Sequence, residues 1–158
     1  LGIARKYFEN PAITTDIITG FPGETEKEFE ETMDFAKKAG FAKIHVFKYS
    51  RRYGTIADKM DGQLEEPVKA ARSARLSALE KELGLMYQEQ ALKEYENVLF
   101  EEIIETGSKK YIVGYNERYI RIAVPAEEIP FAEARCNTIG KVRIMGRDDS
   151  GMLTGDMG

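Results

Sequence analysis

The 158-residue chain is 42% apolar and 32% charged, enough to build the core of one ordinary domain or of two small ones. Its single cysteine, Cys136, and single histidine, His45, exclude an internal disulfide and a metal site of the Cys/His type. A formal net charge of −4 excludes a global attraction to nucleic acid or acidic membranes, so any such binding has to come from local patches. There is no apolar run of about 18 residues, no signal pattern and no lipidation motif, so a cytoplasmic protein that does not enter membranes is expected. The chain starts at Leu1 without a methionine. It reads as a piece of something longer, although terminal processing leaves the same start.

Leu1 to Pro11 holds a helix end, with Ala4, Tyr7 and Phe8 at helical spacing before Asn10-Pro11 stops it. Next comes TTDIITGFPGE, Thr14 to Glu24. Its β-branched residues predict a strand covered on both faces, a costly place for Asp16 unless that carboxylate is paired. Gly20 and Gly23 permit a tight turn, and Thr25 with Glu28 has the capping-box spacing of a helix start. Phe29, Met33 and Ala36 follow helical spacing, acids come early and lysines late, and Gly40 is the stop. Ala42 to Tyr49 is a second strand, giving a βαβ unit with parallel strands and a right-handed crossover. Alternation places His45, Phe47 and Tyr49 on one face, with Ile44 and Val46 on the other.

Ser50 to Gln63 lacks apolar periodicity and carries Arg51, Arg52 and Gly54 at the carboxyl end of the second strand, where parallel α/β folds place ligand sites. Pro67 fits the first turn of a long helix with Leu76, Leu79, Leu83 and Met86 as its apolar stripe, running to about Tyr95. From there VLFEEII, YIV, YIRIAV, KVRIM and MLTG read as short strands between turns. About five short strands suit a small closed or partly closed barrel, since closure removes exposed edges. The expected organisation is therefore α/β over residues 1–96, followed by an all-β module over residues 97–158.

Each candidate has a plain structural reading beside its functional one. His45 fits a hydrogen-bonded core histidine better than a catalytic one. Asp16 fits a carboxylate supporting a site. Arg51 and Arg52 suit a solvated loop, yet Tyr49 and Tyr53 beside them offer stacking surfaces for a base. Lys109, Lys110, Arg118, Tyr119 and Arg121 give the β module a similar mixture, expected to gather on one face. Tyr119 reads equally as a barrel core residue. With eight Lys/Arg against ten Asp/Glu over residues 97–158, the module has to segregate its charge to bind RNA.

The stretch TTDIITGFPGETEKEFEETMDFAKKAGFAKIHVFKYSRRYGT resembles the late radical-SAM region of tRNA methylthiotransferases, most closely the subgroup acting on N6-threonylcarbamoyl-adenosine. The likeness continues through KMDGQ and RSARLSALEKE into GYNERYIRIAV and GKVRIM, which resemble the family's TRAM domain, a small OB-like RNA-binding β-barrel. It implies a parent enzyme that uses two 4Fe-4S clusters and S-adenosylmethionine to methylthiolate C2 of a modified adenosine beside a tRNA anticodon. The family's cluster motifs need several cysteines, and Cys136 alone supplies none of them. The resemblance thus implies the last βαβα portion of an incomplete (β/α) barrel plus a TRAM domain. The N-terminal part of the same protein would be missing, the piece would be inactive alone, and no cluster or cofactor is expected on it in isolation. It places Asp16, Gly20, Glu24, Phe47 and Tyr49 at the S-adenosylmethionine seat, with tRNA on the cationic residues named above. No catalytic or metal-ligating residue is assigned. An uncovered barrel edge predicts self-association of the piece. The alternative is a self-sufficient RNA-binding adaptor without catalysis.

Overall fold

A computed structural model describes residues 1–148 and 150–157, which fall into two compact units, Leu1–Gln90 and Ala91–Gly158. In the first unit, α1 (Gly2–Tyr7) precedes β1 (Thr14–Thr19), α2 (Glu26–Ala39), β2 (Lys43–Lys48) and α3 (Glu66–Ala91). The two strands pair in parallel, with Asp16 opposite His45 and Ile18 opposite Phe47. The capping box forms as its spacing predicts. The Thr25 hydroxyl accepts from the Glu28 N–H at 3.2 Å, and the Glu28 carboxylate accepts from the Thr25 N–H at 2.8 Å. Gly40 ends α2 in the left-handed conformation at φ 56°.

Helices cover only one face of this sheet. Phe29, Met33, Ala36 and Ala39 of α2, Leu76, Leu79 and Leu83 of α3, and Phe41 and Ile44 form the core, with Ile13, Ile17 and Val46 packed against it. The expectation of a strand covered on both faces is therefore corrected. The face carrying Asp16, Ile18, His45 and Phe47 is open, and Ile18 and Phe47 are each 53% exposed. Asp16 is no buried carboxylate in need of a partner, and His45 is no core histidine. The reason is layer number: within this unit the two-stranded sheet is backed by two helices on one side, and the described residues of the unit form no layer on the other.

The α3 boundary is also corrected. The helix stops at Ala91, and Tyr95 begins a strand. Met86, assigned to the apolar stripe, is exposed, because the stripe packs in the core at Leu76, Leu79 and Leu83 and no further along the helix.

In the second unit, β3 (Tyr95–Thr106), β4 (Lys109–Tyr115), β5 (Arg121–Pro125), β6 (Ile139–Arg147) and β7 (Leu153–Asp156) close into a five-stranded barrel in the order β3-β4-β5-β7-β6. This is compatible with the OB-like architecture expected of the module. All ladders are antiparallel except β5 with β7. Val98, Phe100, Ile112, Ile122, Val124 and Val142 are fully buried and fill the interior by alternation. Tyr111, Val113 and Ala123 point the other way and pack with Ile104 and Met152. No helix among the described residues is long and apolar enough to cross a membrane.

Candidate nucleic-acid and ligand sites

The Gly-Phe-Pro-Gly turn after β1 is a built node. Gly20 sits at φ 73°, and the Lys69 side chain lies so close that an added Cβ would come within 2.4 Å of its Cγ. The Glu24 carboxylate accepts from the Gly20 N–H at 2.8 Å and from the Arg72 guanidinium at 2.7 Å. Arg72 also donates to the Glu24 carbonyl and to the Glu26 carboxylate, and lies over the Phe29 ring. Gly23 donates to the Gly62 carbonyl at 2.9 Å, tying the turn to the segment before α3. Glu24 thus holds the turn through its Oε2 oxygen.

Tyr49 follows β2 and its N–H donates to the Thr19 carbonyl at 2.9 Å. Alternation groups it with His45 and Phe47, both of which are exposed. Tyr49 itself is buried, because the Phe21 ring meets it edge-on at 5.3 Å and the Lys69 ammonium lies 5.8 Å from its ring centre. Its hydroxyl and that of Thr19 are buried with no hydrogen-bond partner among the described residues. Two such atoms at the carboxyl ends of adjacent parallel strands leave hydrogen-bonding capacity for a small polar ligand or water. Beside them, Glu66 accepts from Lys48 and from Lys69, which hold its carboxyl down to about 2 from the ordinary 4.5.

The cations of the second unit do not gather as expected. Lys109 and Lys110 follow the β3–β4 turn, whereas Arg118, Tyr119 and Arg121 lie at the opposite end of β4. Seven residues of strand separate the groups by roughly 20 Å. Arg121 is further engaged with Glu102 at 2.9 Å. Tyr119 is 85% exposed, which removes its reading as a core residue.

A buried pair holds Tyr119 in place. The Asn116 side chain donates to the Glu96 carboxylate at 3.0 Å and accepts from the N–H groups of Arg118 and Ile120. The Tyr119 N–H donates to the Asn116 carbonyl, and Tyr119 takes φ 58° so that its ring projects outward, 5.8 Å from that of Tyr115. Tyr115 pairs with Leu99 on one side and Arg121 on the other, and Leu99 pairs with Ile139. Farther along the same exterior face Tyr95 pairs with Arg143, Asn97 pairs with Lys141, and the Lys141 ammonium lies 4.8 Å from the Tyr95 ring centre.

The outcome is an outer face of Tyr95, Leu99, Tyr115 and Tyr119 flanked by Lys141, by Arg143, which lies 3.7 Å from the Glu94 carboxylate, and by the Glu102-paired Arg121. Sequence reasoning missed Tyr95, Lys141 and Arg143. Tyr95 was assigned to the helix, and KVRIM was read for its apolar residues; the alternate positions Lys141 and Arg143 carry the signal that marks its outward side.

Among the described residues no group of three or more His, Cys, Asp or Glu side chains is arranged to hold a metal ion. With Cys136 as the single cysteine, the side chains of this chain do not fit an iron-sulfur cluster.

No protein-family model matches the chain. Among curated proteins it is 41% identical over 125 residues to the threonylcarbamoyladenosine tRNA methylthiotransferase MtaB of Bacillus subtilis, covering 78% of this chain and 28% of that protein. It is 31% identical over 143 residues to the Thermotoga maritima protein of the same name, covering 90% and 31%. With the tRNA-2-methylthio-N(6)-dimethylallyladenosine synthase of Desulfotalea psychrophila it shares 46% identity over 105 residues, covering 66% and 23%. The chain spans less than a third of the length of these relatives.

Proposed function

This chain belongs to the tRNA methylthiotransferase family, and we propose that it is the tRNA-gripping portion of a radical-SAM enzyme that methylthiolates C2 of N6-threonylcarbamoyl-adenosine. The observation that carries the proposal is the tyrosine and cation face of the barrel, which offers stacking surfaces beside phosphate-pairing charges. In this reading the barrel is a TRAM domain, and the one-sided βαβα unit is part of an incomplete (β/α) barrel. The threonylcarbamoyl substrate is favoured over the dimethylallyl one because the alignments with the two threonylcarbamoyl enzymes reach across 78% and 90% of the chain. The enzymatic portion is favoured over a self-sufficient adaptor because the chain spans so small a share of the enzymes it matches.

The open sheet face and the ends of β1 and β2 fit one side of an S-adenosylmethionine seat. Ile18 and Phe47 offer apolar surface to an adenine ring, and the unpartnered Thr19 and Tyr49 hydroxyls offer polar contacts. Gly20, buried under the Lys69 side chain with its N–H given to Glu24, shapes the turn, while Asp16 lies on the open face. When bound, S-adenosylmethionine supplies the methyl group and the radical chemistry; this chain's residues bind and orient it. Cluster ligands are supplied from outside the chain, which is inactive alone and carries no cluster. Its tRNA binding does not depend on either cofactor.

Equilibrium binding of unmodified tRNA across a salt series tests the proposal. The affinity should fall with log salt at a slope of about −2 to −4, reflecting a few released counterions. Lys141→Ala and Arg143→Ala should each flatten it by about one unit. Binding that ignores salt, or variants that match the parent chain, would refute the assignment of the face.

A further inference from the structure

The loop between β2 and α3 is tightly organised yet presents apolar groups to solvent. Arg51 donates to the Asp58 carboxylate at 2.6 Å and to the Asp58 carbonyl at 2.7 Å. The Gly54 N–H reaches the same carboxylate at 3.3 Å. The Thr55 hydroxyl donates to the Arg52 carbonyl at 2.8 Å and accepts from the Asp58 N–H at 3.1 Å. Gln63 donates to the carbonyls of Ala57 and Met60, closing the short 3-10 turn Ala57–Lys59 from the far side. Arg51 therefore organises the loop.

On this scaffold Tyr53 is 100% exposed and Ile56 is 87% exposed. Arg52 and Lys59 are exposed with no ion-pair partner among the described residues, whereas the charge of Arg51 is neutralised by Asp58. Holding an aromatic and an aliphatic side chain fully in water has no folding benefit. The intraloop bonds fix them there in advance, which lowers the entropic cost of binding. An aromatic face beside unneutralised cations complements a base joined to its phosphate, a combination that an apolar protein partner does not offer.

We propose that this loop is a separate single-strand RNA contact, in which Tyr53 stacks on an unpaired base, Ile56 packs beside it, and Arg52 meets the adjoining phosphate. The proposal rests on the tRNA reading above and names the substrate feature recognised: an unstacked nucleotide. Arg51 and Asp58 act as positioning residues.

The test is binding of the full chain to a short oligoadenylate and to an RNA duplex of equal length. Tyr53→Ala should weaken oligoadenylate binding by roughly 5- to 150-fold with an unchanged salt slope, and Tyr53→Phe should retain it. Arg52→Ala should flatten the slope by about one unit. Because Tyr53 makes no buried contact, its variants should melt as the parent chain does. If the parent binds oligoadenylate and Tyr53→Ala binds equally well, the loop assignment fails while the barrel assignment stands. An equal loss on the duplex also overturns it, since paired bases offer no free face. If the parent binds neither RNA, the tRNA reading itself fails and takes this one with it.

Discussion

Arg72→Ala should destabilise the first unit by about 3 to 5 kcal/mol, the usual cost of removing one partner from a buried ion pair. The Arg72 side chain is 7% exposed and connects the Glu24 carboxylate, the Glu24 carbonyl and the Glu26 carboxylate, while its plane lies over Phe29. Without it, Glu24 keeps only the Gly20 N–H as partner, at a site where water has poor access. Arg75 already holds Glu26 and Glu30, so it is not free to replace the lost guanidinium. Urea unfolding followed by amide exchange of the Phe29 to Ala36 helix measures the loss. Arg72→Lys should recover less than half of it, because an ammonium cannot make the forked contact. A loss below about 1 kcal/mol for Arg72→Ala would show that the node does not hold the turn.

Gly114→Ala should cost the barrel about 3 kcal/mol or more and shift the β3–β4 register. A Cβ at this position would lie 2.0 Å from the Leu99 carbonyl oxygen and 2.7 Å from the Phe100 Cα, both backbone atoms that cannot rotate away. The clash falls beside the bulge between Phe100 and Glu102, where β3 bends to close. Thermal unfolding and the amide shifts of Leu99 and Tyr115 report the effect. A variant with unchanged stability and shifts would show that the strands do not approach as described.

Much of the fold was legible because its signals are local. The Thr25 and Glu28 capping box, the Gly40 stop and the β-rich runs each depend on residues a few positions apart, and each formed where its spacing put it. Burial was less legible. A strand rich in Ile and Thr does not say how many layers cover it, so Asp16 and His45 were assigned an interior that two strands cannot make.

The candidate sites divide in the same way. Tyr119 was readable as a candidate RNA contact from composition, but only the Asn116 and Glu96 pair explains why its loop turns it outward. Lys109 and Lys110 were joined to them because the numbers are close, although one strand length lies between. Tyr95, Lys141 and Arg143 became visible only when β3 and β6, which β4 and β5 separate in sequence, were paired.

The most direct measurement of the central claim is a residue-resolved footprint of an anticodon stem-loop on the full chain, by amide and side-chain NMR shifts. In the second unit the largest changes should fall on Tyr95, Leu99, Tyr115, Tyr119, Lys141 and Arg143, with Lys109 and Lys110 little affected. Changes centred on the β3–β4 turn instead, or none anywhere on the barrel under conditions where the RNA binds, would contradict it.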